Sequence, residues 1–191
     1  MDQPAIGAVV LAGGNGNRMG GVDKGSLRLG GVSLLEHALA ATAAAQQTVV
    51  VGDPAPASRR VTWTRERPAG GGPAAGLLAG LEALAREPDL VLVLAVDMPW
   101  VTAATADRLV EAVRRRGTAV DGAVLVDADG RLQPLAAAYR PTALQRSRDP
   151  IAAGGLSMRR LLAGLRLCEV PAVGDEARDV DTWRDLRRDT S

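Results

Sequence analysis

Short apolar segments and amphipathic segments alternate along most of this 191-residue chain. Apolar runs that end in turn residues predict strands, and apolar residues that recur every three or four positions predict helices. This alternation is typical of an α/β fold, in which helices cover both faces of a mostly parallel sheet. The predicted extended segments are 6–11, 26–29, 48–51, 61–64, 90–96, 123–126, 131–135, 136–139 and 167–170; the predicted helices are 34–45, 75–86, 103–116, one beginning at Pro141, 156–163 and a short terminal one.

The segment 90–96 is apolar at every position, which predicts a central strand that is buried on both faces. It is followed by Asp97-Met98-Pro99. A carboxylate at the carboxyl end of a central strand lies where open α/β sheets bind their ligands. Because Thr102 is a good cap for the next helix, we expect Asp97 to remain available for a metal ion.

The first strand leads into a glycine-rich loop, 13–25, which also carries Arg18 and Lys24. Glycine lets the backbone approach a ligand closely, so amide groups and two cations could together bind phosphate. The spacing excludes a dinucleotide fingerprint, because Met19 stands where a third glycine is needed, and a Walker loop, because Lys24 follows Asp23. A flexible surface turn is the alternative interpretation.

A second loop rich in glycine and proline, 65–76, precedes the predicted helix 75–86. The amino end of a helix behind such a loop is a favourable place for anionic or polar ligand groups. The alternative is a linker that is tolerated for its flexibility.

The composition gives no support for nucleic-acid or membrane partners. The net charge is +1, and no basic run is flanked by aromatic residues. No apolar run approaches the ~20 residues of a membrane span, and the first residues do not have the pattern of a signal peptide. The single cysteine, Cys168, excludes an intramolecular disulfide and fits a reducing compartment, so we expect a cytoplasmic protein.

Three rare residue types need separate interpretation. Lys24 is the only lysine among 23 basic residues, which suggests that a guanidinium would not serve at this position. His37 has no second histidine or cysteine near it in the sequence, so we interpret it as a surface or packing residue of a helix. Cys168 lies in a strand-like run and is interpreted as a small buried hydrophobic residue.

Three separated stretches supply groups for chemistry on a phosphorylated substrate: the loop with Arg18 and Lys24, the strand end with Asp97, and a late acidic pair, Asp179 and Asp181. Carboxylates of this kind favour Mg²⁺, which is usually also held by substrate phosphates and waters. Cations and Mg²⁺ together would stabilise the charge on a nucleoside triphosphate during exchange at its α-phosphate. We find no motif for covalent or zinc chemistry.

The loop motifs resemble those of the molybdenum cofactor guanylyltransferase (MobA) family of nucleotidyltransferases. The resemblance implies a three-layer Rossmann-like fold in one domain, with a nucleotide-binding half at 1–116 and an acceptor-binding half at 117–191. It is carried by Leu11-Ala12-Gly13-Gly14, Arg18-Met19-Gly20 and Asp23-Lys24, and by weaker matches at 72–76, 97–99, 133–135 and 179–182.

The activity that this resemblance implies is the transfer of GMP from GTP to the phosphate of molybdopterin that carries molybdenum. Pyrophosphate would be released, and Mg²⁺ would be required. Proteins of molybdenum cofactor biosynthesis and the apoenzymes that receive the cofactor would be transient partners.

The resemblance also implies roles for individual residues. Arg18, Lys24 and Asp97 would be catalytic, with the two cations on the triphosphate, Asp97 as the main Mg²⁺ ligand and Asp181 as a second ligand. Gln133, Arg159 and Arg160 would contact the acceptor, the two arginines on the basis of charge alone. The further nucleotide-binding residues would be Leu11, Ala12, Gly13, Gly14, Gly16 and Gly76.

Two departures from the family pattern concern the nucleotide site. Many members carry Asn at the end of the second strand and Asp before the glycine-proline loop, where this chain has Gly52 and either Arg65 or Glu66. A cytidylyltransferase for the same cofactor and a sugar or polyol phosphate nucleotidyltransferase therefore remain alternatives, although Gly13-Gly14 favours guanine. A non-catalytic nucleotide-binding regulatory protein is a third, and the presence of both Lys24 and Asp97 argues against it.

Overall fold

The computed structural model describes residues 4–13, 24–66, 70–148 and 157–187. Nine strands and six α-helices are found in this part of the chain. The strands are β1 (Ile6–Leu11), β2 (Arg28–Leu29), β3 (Val32–Ser33), β4 (Gln47–Val51), β5 (Thr62–Thr64), β6 (Leu90–Ala95), β7 (Gly122–Val126), β8 (Leu132–Tyr139) and β9 (Leu167–Pro171); the helices are α1 (Leu34–Ala41), α2 (Gly72–Glu82), α3 (Ala103–Arg116), α4 (Pro141–Arg148), α5 (Met158–Leu162) and α6 (Trp183–Arg187).

Seven strands form one sheet in the order β5-β4-β1-β6-β8-β7-β9, and β2 pairs with β3 as a separate hairpin. Within the large sheet β8 runs antiparallel to β6 and β7, whereas the other neighbouring strands are parallel. The fold is therefore α/β with a mostly parallel central sheet, which confirms the predicted fold class.

The helices cover both faces of the sheet. Because neighbouring residues of a strand point to opposite faces, Val9 and Val10 of β1 belong to two different hydrophobic clusters. One cluster joins the sheet to α1 and α3, and the other joins it to α2, α4 and α5. The core is built largely from Leu, Val and Ala, and Tyr139 is the largest of its fully buried side chains. This arrangement confirms three layers.

The segments 131–135 and 136–139, predicted as two strands, form the single strand β8. The pairing register with β7 shifts between Val124 and Leu125, so that Val124 faces Ala137 while Leu125 faces Gln133. The irregularity accommodates Pro134, which has no amide hydrogen to donate to a partner strand.

Some helix boundaries also differ from the prediction. The helix predicted at 75–86 begins earlier, at Gly72, because Pro73 suits the first turn, and it ends at Glu82. Helix α1 ends at Ala41 rather than at residue 45. In contrast, α3 begins and ends as predicted, and Thr102 forms a capping box with Thr105 at its start.

Helix α2 lies unusually close to β1. A Cβ atom added to Gly80 would lie 2.4 Å from Cγ1 of Val9, and one added to Gly76 would lie 3.2 Å from Cδ2 of Leu11. Glycine at these two positions lets the helix approach the strand, and the amino end of α2 therefore stands beside the carboxyl end of β1. Among the described residues, no helix has the length and apolar character needed to span a membrane.

Candidate active site

A cleft of about 370 Å³ opens at the carboxyl ends of three parallel strands. The last residues of β1, β4 and β6 lie side by side, because Leu11 pairs with both Val51 and Ala95. This edge of the sheet is where α/β folds bind their ligands. The remaining lining residues come from the adjoining loops, α2 and β8: Ala12, Gly13, Lys24, Glu66, Gly70, Gly72, Pro73, Gly76, Val96, Asp97 and Leu135.

The backbone after β1 turns tightly over the end of β4. The amides of Ala12 and Gly13 both donate to the carbonyl oxygen of Val51, each at 2.9 Å. Gly52 lies under this turn with φ +155°, and an added Cβ would lie 3.1 Å from the nitrogen of Gly13. Both its backbone angle and its surroundings favour glycine, which gives a physical reason for the departure from Asn at this position.

Glu66 lines the cleft, whereas the sequence left open whether Arg65 or Glu66 stands where many family members carry Asp. Its Oε1 accepts a hydrogen bond from the amide of Gly70 at 3.2 Å. Its Oε2 lies near Gly13, at 3.9 Å from the position of an added Cβ there. The signal in the sequence was an acidic residue near the start of the glycine-proline loop, but only the fold brings that residue to the cleft.

Lys24 joins two carboxylates from distant parts of the sequence. Its Nζ lies 3.0 Å from Oδ2 of Asp97 and 2.9 Å from Oδ1 of Asp181. Lys24 opens a short 3₁₀ helix, Asp97 follows β6, and Asp181 lies just before α6. The structure thus brings one predicted cation and both predicted metal ligands to the same end of the cleft.

The local charges determine how this group of residues ionises. Burial alone would lower the pKa of Lys24, but the hydrogen bond to Asp181 and the negative charge of Asp97 outweigh it, and the pKa is raised. Lys24 is therefore cationic at neutral pH. The pKa of Asp179 is raised, because partial desolvation of its carboxyl group and the charge of Asp181 both disfavour the ionised form.

The other predicted site residues fall into three groups. Leu11, Ala12, Gly13 and Gly76 line the cleft. Gln133, Arg159 and Arg160 do not line it; the amide of Gln133 donates to Asp127 at 3.3 Å, and both arginines lie in α5. Gly14, Gly16 and Arg18 lie outside the described residues.

His37 and Cys168, for which the sequence predicts no chemical role, have structural contacts. Nε2 of His37 lies 3.2 Å from the carbonyl oxygen of Leu29, which joins α1 to β2. Cys168 is buried in β9.

Comparison with known proteins identifies relatives for most of the chain. Residues 8–170 match the model of the MobA-like NTP transferase domain family. A molybdenum cofactor guanylyltransferase from Cupriavidus metallidurans is 31% identical over 177 residues, which cover 87% of this chain and 84% of the relative.

Solved structures show the same fold. Molybdopterin-guanine dinucleotide biosynthesis protein A from Archaeoglobus fulgidus superposes with a TM-score of 0.73 and 24% identity, covering 96% of both chains. A protein from Mycobacterium tuberculosis, solved as a complex with manganese, superposes with a TM-score of 0.71 and 20% identity, covering 97% of both chains. At these identities the structural likeness establishes the fold.

Proposed function

The chain belongs to the MobA-like NTP transferase domain family, whose members are nucleotidyltransferases, and on this premise we propose that it transfers GMP from GTP to molybdopterin that carries molybdenum. The acceptor would be the terminal phosphate of the pterin, and pyrophosphate would be released. The observation that carries this proposal is the contact of Lys24 with both Asp97 and Asp181 at the end of the cleft.

The cleft suits a nucleotide at the edge of the sheet. Ala12 and Gly13 line the cleft where the base and ribose would lie, and Gly76 leaves room beside α2. Lys24 would donate to the triphosphate and stabilise charge that develops at the α-phosphate, together with Arg18. Because the attacking phosphate oxygen is already ionised at neutral pH, no strong general base is needed, and catalysis is mainly positioning and charge stabilisation.

The donor set fits Mg²⁺. One oxygen of Asp97 and one of Asp181 contact the same ammonium nitrogen of Lys24, so the two carboxylates are close neighbours and a metal held by both would lie beside Lys24. The described residues contain no group of three or more His, Cys, Asp or Glu side chains suited to a metal, and oxygens from substrate and water would complete the shell. When bound, Mg²⁺ would neutralise phosphate charge and orient the leaving pyrophosphate. The manganese complex of the structural neighbour supports a divalent metal here.

Glu66 favours guanine as the base. An ionised carboxylate only accepts hydrogen bonds. The Watson-Crick edge of guanine offers two adjacent donors, at N1 and at the exocyclic amino group, whereas cytosine offers one. A carboxylate at the wall of the cleft therefore complements guanine better than cytosine.

We assign the acceptor to the half of the chain after residue 116. Leu135 of β8 lines the cleft, and Gln133 lies two residues before it. Arg159 and Arg160 would contact the phosphate of the pterin through their charge. Exchange of the cofactor with biosynthetic proteins and apoenzymes would be transient.

The test is a product assay with four nucleotides. The purified chain is incubated with Mg²⁺, molybdenum-bearing molybdopterin and GTP, CTP, ATP or UTP, and the products are identified by mass. We expect transfer of GMP alone. Transfer of CMP alone would assign the chain to the cytidylyltransferases, and no transfer from any nucleotide would contradict an enzymatic role with this acceptor.

A further inference from the structure

A tryptophan and an arginine lie at the same sequence separation from the two aspartates. Trp100 follows Asp97 by three residues, and Arg178 precedes Asp181 by three residues. The guanidinium carbon of Arg178 lies 4.4 Å from the ring centroid of Trp100. Tryptophan is the aromatic side chain that attracts a cation over its face most strongly. The contact therefore links the two segments that carry the carboxylates.

A backbone hydrogen bond also joins the segment 97–100 to the segment 178–181. The amide of Val180 donates to the carbonyl oxygen of Asp97 at 2.7 Å. The side chain of Val180 is fully buried in the hydrophobic cluster that also contains Met98 and Val101. Asp181 is thus next in sequence to a residue that is fixed directly against Asp97.

Arg178 also acts on the backbone of Asp181 through Asp185. The NH2 group of Arg178 lies 3.9 Å from Oδ1 of Asp185, while Oδ2 of Asp185 accepts from the amides of Asp181 at 3.3 Å and Thr182 at 2.9 Å. Arg178 also pairs with Asp175, three residues before it, at 3.7 Å. Among these contacts of Arg178, the one with Trp100 reaches the segment that carries Asp97.

We propose that Arg178 and Trp100 are positioning residues, which hold Asp181 opposite Asp97 so that both carboxylates can act on one metal-nucleotide complex. The proposal rests on the proposed function for the metal, but the pairing itself can be measured without substrate. Neither residue lines the cleft, and their effect is exerted through Val180 and Asp185. Residues that orient metal ligands in this way commonly change metal affinity by 10–100-fold when they are replaced.

The test compares Trp100→Leu, Arg178→Gln and the double variant with two conservative variants, Trp100→Phe and Arg178→Lys. Arg114→Gln is the matched control, because Arg114 also forms an ion pair, with the exposed Glu111 at 2.8 Å. Two quantities are measured: hydrogen exchange of the Val180 amide by NMR without nucleotide, and the dissociation constant of Mn²⁺ in the presence of GTP.

In Trp100→Leu and Arg178→Gln we expect Val180 exchange to accelerate at least tenfold and Mn²⁺ binding to weaken about tenfold. The double variant should be little worse than Arg178→Gln alone, because Arg178→Gln already removes the contact with Trp100. The conservative variants should stay within about threefold of wild type, and the Arg114→Gln control should not change.

Unchanged exchange at Val180 would overturn the proposal whatever nucleotide the chain transfers. Accelerated exchange with unchanged Mn²⁺ affinity would overturn it as well, since the pairing would then be merely structural. If another nucleotide proves to be the donor, the proposed function is wrong. The exchange rate of the Val180 amide still tests the positioning role, because it is measured without nucleotide.

Discussion

The ammonium group of Lys24 makes a combination of contacts that the guanidinium group of an arginine does not match. Its three hydrogens point in different directions, so two carboxylates can be contacted while a third direction remains for a phosphate. The planar fork of arginine instead matches both oxygens of one carboxylate. Contacts with Asp97 and Asp181 at 3.0 and 2.9 Å agree with the inference from composition that the only lysine of the chain marks a special position.

Replacement of Lys24 by arginine should therefore fail almost as completely as replacement by alanine. We expect each variant to lower kcat/KM for nucleotide transfer by about 100-fold or more, which is typical for loss of a main electrostatic stabiliser. Steady-state kinetics with GTP and the pterin acceptor measures the effect. Activity of Lys24→Arg within a few fold of wild type would show that charge alone suffices at this position.

The sequence identifies Lys24, Asp97 and Asp181 as candidates, but it does not show that they touch. Asp97 is recognisable because it follows a wholly apolar strand, Lys24 because it is the only lysine and lies in a glycine-rich loop, and Asp181 because it belongs to a late acidic pair. Their contacts, and the bond between Val180 and Asp97, join residues more than 70 positions apart, and no local periodicity records such pairs. The choice between Arg65 and Glu66 was left open for the same reason, because only the fold shows that Glu66 lines the cleft.

At the scale of secondary-structure elements, the site depends on how closely α2 approaches β1. The amino end of α2 supplies Gly72, Pro73 and Gly76 to the wall of the cleft, and β1 supplies Leu11. Gly80, one turn after Gly76, faces Val9 at the tightest point of this contact. The two glycines thus allow the wall of the cleft formed by α2 to lie close to β1.

The variant Gly80→Ala tests this contact. Its new methyl group would lie 2.4 Å from Cγ1 of Val9, so the helix or the strand must shift. We expect a loss of about 1–3 kcal/mol in the free energy of unfolding, the usual range for overpacking. Gly164→Ala is the control, because no atom lies within 4 Å of an added Cβ there. Urea denaturation that gives equal stability for both variants would contradict the close packing.

Local patterns predict the existence of elements better than their limits and connections. The apolar run that became β6 and the capped helix α3 carry strong local signals, and both were found as expected. The division of β8 into two strands was wrong because β7 pairs with residues on both sides of Pro134, which a local pattern does not contain. Helix α1 likewise ends before the predicted residue 45, because the chain forms a turn at residues 42–44.

At the scale of the whole molecule, two buried carboxylates join segments that are far apart in sequence. Glu176, in the segment after β9, accepts hydrogen bonds from Arg108 of α3 at 2.9 and 2.6 Å. Asp121, before β7, accepts from the backbone and the side chain of Arg166, each at 3.0 Å. The first group joins the segment after β9 to α3, and the second joins the start of β7 to the residue before β9.

These groups make stability depend on pH in the acid range. The hydrogen bond from Arg166 lowers the pKa of Asp121, and although burial alone would raise the pKa of Glu176, hydrogen bonds from Arg108 and Thr105 lower it overall. The pKa of each carboxyl group is lower in the folded state than its ordinary value, which is 3.8 for Asp121 and 4.5 for Glu176. The stabilisation from each group is therefore complete above its ordinary pKa and is lost as the pH falls through its lowered pKa.

We expect the free energy of unfolding of the wild type to fall between about pH 5 and pH 3, and to fall less steeply in Glu176→Gln. The variant should also be less stable at neutral pH, by about 1–3 kcal/mol, because Arg108 loses its charged partner. Urea titrations at several pH values measure both effects, with the exposed Glu169→Gln as control. Identical slopes for wild type and Glu176→Gln would contradict this assignment.

Asp97 follows the central strand β6, lines the cleft and contacts Lys24, so the proposed site depends on this residue most directly. The most direct measurement is the rate of GMP transfer by Asp97→Asn, which keeps the size of the side chain and removes its charge. We expect a loss of about 100-fold or more with Tm within ~3 °C of wild type. Transfer by Asp97→Asn at nearly the wild-type rate would contradict the proposed site.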